Sequence, residues 1–181
     1  MQRQYKTIEE FKHAKKHPII IVLDNIRSLN NVGSFFRTAD SFLLEAIYLC
    51  GITGKPPHRE IEKTALGATQ AVEWRYFYDT KDALMELKKQ HYKVFGVEQS
   101  ENSEYLQNVQ VDKNDKIALI FGNEVNGIGR DVLELCDKII EIPQMGTKHS
   151  LNVAVCGGIV CWEILRKMKV LEEGMKYPDK S

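Results

Sequence analysis

The sequence predicts an α/β fold, a mostly parallel sheet with helices on both faces. Three observations predict it. The run Pro18-Ile19-Ile20-Ile21-Val22-Leu23 is continuously apolar, the pattern of a strand covered on both sides. Strand-like runs alternate with amphipathic segments along most of the chain. Two apolar runs near the C-terminus, residues 117–121 and 138–143, end in Gly- and Asn-bearing turns. Such strand ends are where open α/β sheets bind small ligands, and two so close together suggest one shared pocket.

The elements follow in order. Residues 7–16 form a short amphipathic helix, with Thr7 and Glu10 spaced as a capping box. After the 18–23 strand, Val32, Phe35, Phe36, Ala39 and Phe42 make a broad apolar stripe on a helix over about 31–42. Residues 46–50 are the next strand, and 51–57 is turn-rich. Residues 72–77 alternate as a strand, 82–90 read as a helix, and 92–97 as a further strand. A helix over about 130–136 separates the two C-terminal strands, and a long helix over about 151–170 closes the chain.

Composition narrows the function. The 181 residues suit one domain, with residues 1–17 as a helical extension, no internal repeat and no room for a separate RNA-binding domain. Formal net charge is zero, so any polyanion must be met by local patches. Cys50, Cys136, Cys156 and Cys161 form no CxxC pair, which argues for reduced thiols in a cytoplasmic protein and against a metal site. There is no signal-like leader and no run of membrane-spanning length, so no membrane association is expected.

The sharpest local stretch is Asn30-Asn31-Val32-Gly33-Ser34-Phe35-Phe36-Arg37-Thr38-Ala39. Gly33 would let the backbone bend at a helix start whose free N–H groups could take an anion, with Arg37 one turn further on. Taken alone, the stretch reads somewhat more readily as an Asn N-cap followed by a solvated arginine. In combination it says more. Asn31-Val32-Gly33 with Arg37-Thr38-Ala39, then Phe121-Gly122-Asn123-Glu124, then Ile142-Pro143 through Ser150-Leu151-Asn152-Val153-Ala154 occur in that order. This succession resembles the three motifs of the SpoU/TrmH-type RNA ribose 2′-O-methyltransferases of the SPOUT superfamily, from about Pro18 to Leu165. Ala65 stands where a serine is more usual in the family, and Gln144 where methionine is common.

The resemblance implies a C-terminal deep trefoil knot, a homodimer with its site at the subunit interface, and S-adenosylmethionine as cofactor. It assigns cofactor contacts to Gly122, Asn123, Ile142, Met145, Ser150, Leu151 and Asn152, with Ile142 and Leu151 flanking the adenine. For these two, a place in the core is an equally good reading. It assigns the chemistry to Arg37, Asn31, Glu124, Ser150 and Asn152. Methyl transfer to a ribose hydroxyl needs alignment and a weakened O–H bond. Arginine stays protonated, with a pKa above about 12, so Arg37 suits a fixed charge better than a general base. Asn31 would orient Arg37 or the ribose, and Glu124 is the other candidate proton acceptor.

RNA contacts, tRNA or rRNA with tRNA favoured, are expected from Arg37, from Lys55, His58, Arg59 and Lys63, and from Lys148 with His149. Lys12, Lys15 and Lys16 are a further basic cluster, equally readable as a solvated face. Two other functions compete. A catalytically silent RNA-binding protein on the same fold is opposed by the intact polar set. A dinucleotide-dependent oxidoreductase is opposed by the absence of GxGxxG after the first strand.

Overall fold

The computed structural model describes residues 6–148 and 150–171. Seven strands form one parallel sheet: β1 His17–Asp24, β2 Leu44–Cys50, β3 Glu73–Phe77, β4 Lys93–Val97, β5 Glu104–Tyr105, β6 Ile117–Phe121 and β7 Lys138–Glu141. Their spatial order is β3-β2-β1-β6-β4-β7-β5, and every pairing is parallel. Parallel strands need crossovers, and the helices supply most of them: α1 Ile8–His13, α2 Leu29–Ser41, α3 Arg59–Ala65, α4 Ala68–Ala71, α5 Thr80–Lys89, α6 Arg130–Leu133 and α7 Val153–Lys167.

The apolar run of β1 lies inside the sheet, between β2 and β6, and is buried throughout Ile19–Leu23. Its alternate residues feed two cores. Ile19, Ile21 and Leu23 join Phe35 and Phe36 of α2 and Val160, Cys161 and Ile164 of α7. Ile20 and Val22 join Ala83, Leu84 and Leu87 of α5 and Val132 of α6. The absence of a polar face in the sequence therefore has a direct cause: helices cover both sides.

The local signals mostly act as read. Thr7 accepts from the Glu10 N–H while the Glu10 carboxylate accepts from the Thr7 N–H, a complete capping box. Three elements differ from expectation. Residues 59–65 and 68–71 are helices α3 and α4, a region between the turn-rich 51–57 and the 72–77 strand to which the sequence reading gave no element. Strand β5 has two residues, Glu104 and Tyr105, too few to show any periodicity. Helix α2 begins at Leu29, with Ser28 as its cap, not near Asn31.

Gly33 accordingly lies inside α2 rather than at a bend. A Cβ there would collide with Thr64 Oγ1 and the Ile61 carbonyl, so the glycine lets α3 lie directly on α2. Likewise a Cβ on Gly157 would strike the Phe35 ring, which brings α7 onto α2. Among the described residues no helix is long and apolar enough to cross a membrane.

Candidate active site

Strands β6, β4 and β7 are neighbours, and their C-terminal ends open into a cavity of about 540 Å³. Phe121, Gly122, Asn123 and Glu124 line it from the turn after β6, Ile142 and Gln144 from the segment after β7. Ser150, Leu151 and Asn152, just before α7, close it. Two of the three segments singled out in the sequence thus meet around one space, as strand ends of an open sheet can.

The turn after β6 is shaped by glycine and asparagine. Asn123 and Gly127 exchange backbone hydrogen bonds of 3.1 and 2.8 Å. Gly122 allows this closure, since a Cβ there would collide with the Gly127 carbonyl carbon and the Ile128 nitrogen. Gly127 itself has φ +66°, a conformation side chains disfavour. The buried Asn123 side chain holds the turn from inside. It donates to the Asn25 carbonyl at 2.8 Å and accepts from the N–H groups of Val125 and Asn126. Asn123 therefore ties the β6 turn to the end of β1.

Glu124 completes that tie. Its carboxylate accepts from the N–H groups of Arg27 and Ser28 at 2.9 and 3.0 Å and from Asn31 Nδ2 at 3.0 Å. Burial works against the charge, but these donors outweigh it and hold the carboxyl below its ordinary value. The entry to α2 thus holds an anion of the protein's own. Those backbone N–H groups are not open to a phosphate, and Ser28 Oγ takes the Asn31 N–H at 3.3 Å. Asn31 extends the chain of bonds, since its Oδ1 accepts from Asn152 Nδ2 at 3.2 Å. Asn152 also caps α7, accepting from the N–H groups of Ala154 and Val155. Residues from all three sequence motifs meet in the sequence Glu124, Asn31, Asn152.

Arg37 is not part of this assembly. Asn31 does not touch it, and the guanidinium makes no hydrogen bond or ion pair among the described residues. It opens into a second cavity of about 780 Å³, walled by Ser34, Thr38, Phe42, Lys63, Ile159 and Trp162. Helix α2 explains the separation. Asn31 and Arg37 are six positions apart, about 600° of helical turn, so they leave the helix on different sides.

The other expected site residues are dispersed. Met145 is 97% exposed and does not line the cavity, and Ser150 is exposed at its rim without a side-chain bond among the described residues. Lys55 lies over the Tyr76 ring at 4.0 Å, and His58 caps α3 by accepting from the Glu60 N–H. Arg59 is exposed at the start of α3, and Lys63 alone of this group joins Arg37 in the second cavity. Lys148 is exposed, and His149 lies outside the described residues. In the N-terminal cluster Lys12 and Lys15 are exposed. Lys16 instead donates to the carbonyls of Phe11 and Ala14, and burial lowers its pKa.

Two cavity residues escaped the sequence reading, Glu98 and Gln99. They directly follow β4, whose run at 92–97 was legible, so the strand-end rule applied to the later turns would have reached them. Cys156 also borders the cavity, where burial and the nearby Glu98 charge push its thiol up to about 11. That makes it an unreactive wall.

Residues 18–162 match the model of the SpoU rRNA methylase family. The chain belongs to that family. A 23S rRNA (guanosine-2′-O-)-methyltransferase of Neisseria meningitidis is 31% identical over 86% of this chain and 60% of its own length. A tRNA (guanosine(18)-2′-O)-methyltransferase of Aquifex aeolicus is 27% identical over 97% of this chain and 81% of its own. Among solved structures, an AdoMet-bound rRNA methyltransferase from Sinorhizobium meliloti superposes with a TM-score of 0.76 at 25% identity. That superposition covers 91% of this chain and 62% of the other. The chain therefore spans less than two thirds of some relatives' length.

Proposed function

We propose that this chain transfers a methyl group from S-adenosylmethionine to the 2′-hydroxyl of a ribose in RNA, with tRNA the favoured substrate over rRNA. The carrying observation is the bonded set Glu124–Asn31–Asn152, which ties the three motifs together beside the 540 Å³ cavity. The Aquifex relative, aligned over nearly the whole chain, supports the choice of tRNA.

The cavity fits a nucleoside cofactor on observations of its own. Its volume lies within the range of small-molecule pockets, its walls include apolar Ile142 and Leu151, and the Gly122–Gly127 turn offers backbone groups. When bound, the cofactor supplies an already activated methyl on a sulfonium. Ile142 and Leu151 would flank the adenine ring, and the backbone of the Gly122 turn and the segment before Asn152 would take its polar edge. Met145 can contribute only by its backbone, since its side chain is exposed to solvent.

Arg37 binds the RNA. Its charge holds a phosphate beside the reacting ribose and favours the ionised hydroxyl, while the proton passes to solvent. Glu124 organises rather than accepts the proton, because both its oxygens already take donors and its carboxyl is held below its ordinary value. Lys63 stands with Arg37, and Lys55, His58, Arg59 and Lys148 extend the phosphate contacts.

Arg37 and the cofactor cavity open separately in one protomer, and a homodimer joins them. Support for it is the apolar face of α7, where Val155, Ile159 and Trp162 are 54%, 40% and 47% exposed. The C-terminal segment is knotted. The order of strands favours this, because β6 is inserted between β1 and β4 and the chain after β7 returns to set Asn152 against Asn31. Such chemistry belongs in the cytoplasm, which fits the four free cysteines.

The test is incorporation of labelled methyl from S-adenosylmethionine into bulk tRNA and rRNA, followed by nuclease mapping of the methylated ribose. Label in 2′-O-methyl nucleosides of tRNA is expected. RNA binding without incorporation into either pool would instead identify a silent binder.

A further inference from the structure

Among the described residues, the wall of the cofactor-type cavity carries Glu98, Glu124 and Glu141 and no Lys, Arg or His. The three carboxylates are not equivalent. Glu124 faces α2 and is occupied by Arg27, Ser28 and Asn31. Glu98 and Glu141 emerge from adjacent strand ends, since Val97 pairs with Ile140. Glu98 is held in place from below. Its Oε2 accepts from the Ile128 N–H at 2.9 Å, its Oε1 from the Gln99 N–H at 3.1 Å, and Gly127 packs against it. Neither contact neutralises it, and among the described residues it has no ion-pair partner. It is a fixed, half-buried negative charge on the wall of a cavity whose described lining residues include no cation to balance it.

We infer that Glu98 makes this cavity discriminate by ligand charge, favouring the cationic methyl donor over its neutral demethylated product. The inference rests on the methyl-donor reading of the cavity and deepens it. S-Adenosylmethionine carries a sulfonium, an ammonium and a carboxylate, net +1. Transfer of the methyl removes the sulfonium charge, leaves a thioether, and releases one proton from the attacked hydroxyl, so S-adenosylhomocysteine is net zero. A carboxylate several ångströms away interacts with the donor's extra charge and not with the product. In a partly wet cavity at moderate salt that difference is on the order of 10-fold in affinity. Hydrogen bonding to the nucleoside common to both ligands would strengthen both alike. Charge separates them, and it does so in the direction that clears product after each turnover.

The experiment is calorimetric titration of the intact protein with S-adenosylmethionine, with sinefungin and with S-adenosylhomocysteine. Sinefungin carries an amine in place of the methyl sulfonium and cannot react. The wild type, Glu98→Gln and Glu98→Asp are compared, with thermal melts to verify folding. Gln keeps an acceptor for the Ile128 N–H while losing the charge. The expected result is a loss of about 10-fold for both cationic ligands in Glu98→Gln, with S-adenosylhomocysteine changed less than about twofold. Glu98→Asp, which keeps the charge, should retain most of the preference. Added salt should narrow the gap in the wild type and leave Glu98→Gln unmoved. Equal losses for all three ligands, or no change, would overturn the role of Glu98 alone. Failure of the wild type to bind any of the three would overturn the methyl-donor reading itself.

Discussion

The two cavities of this protein are built on opposite principles. The one at the ends of β4, β6 and β7 is made of groups that satisfy one another: Asn123 holds its own turn, Glu124 holds the start of α2, and Asn31 bonds Glu124 and Asn152. The one between α2 and α7 presents Arg37 unpartnered among the described residues, beside Lys63 and the exposed ring of Trp162. A site for a small ligand is best preorganised, so its polar groups are already tied. A surface that must meet a large, charged partner keeps a cation such as Arg37 free, while Lys63 is held only by an exposed ion pair to Glu60. The contrast teaches that intramolecular bonding marks the cavity at the strand ends, and its absence marks the Arg37 cavity, the side proposed above to be completed by RNA and a second subunit.

The sharpest break of that contrast is Arg37→Ala. It should lower methyl transfer by at least about a thousandfold while S-adenosylhomocysteine affinity, read by calorimetry, stays within about twofold. A matching loss of cofactor affinity would merge the two cavities into one function. A mixing experiment sharpens the point. If Arg37 acts across a dimer, equal amounts of Arg37→Ala and Gly122→Ala subunits, each inactive by itself, should recover roughly a quarter of wild-type activity, because half the dimers carry one intact site of two. No recovery would place both residues in one protomer's site.

Smaller effects fall on the self-satisfied side. Gly122→Ala drives a methyl into the Gly127–Ile128 backbone, and denaturant unfolding should show a loss of about 1–3 kcal/mol together with lost cofactor binding. Asn152→Ala removes the α7 cap and the bond to Asn31, for which about 1 kcal/mol of stability is expected, with weaker S-adenosylhomocysteine binding. The smallest effect is a pH slope. The folded carboxyl of Glu124 titrates below its unfolded value, so its contribution is fully present above the ordinary carboxylate range. It is lost as pH falls through the lowered folded value. Glu124→Gln should flatten that acid limb in pH-dependent melts, and an unchanged limb would show that Glu124 is not linked to folding.

Legibility followed the length scale of the interaction. Strands β1, β2, β4 and β6 and helices α5 and α7 were readable because each carries a repeating apolar pattern over several residues. Helix α3 hid behind the Pro56-Pro57 turn and small residues, and β5 is too short to repeat anything. At the site, the amides and Glu124 could be named from their motifs, but their partners could not. Nothing local to residues 27–31 says that a carboxylate from position 124 takes the N–H groups of Arg27 and Ser28 at the entry to α2.

The sequence by itself determined the alternation of strands and helices, the cover on both faces of β1, and the family, because apolar periodicity and motif order are written in consecutive residues. Only the tertiary structure decided that Gly33 serves helix contact instead of a bend, that Glu124 spends its charge on α2, and that Arg37 looks away from Asn31. Each of those depends on distances between segments as far as 121 positions apart, such as Asn31 and Asn152. Such contacts are set by how whole elements pack, and no local pattern encodes them.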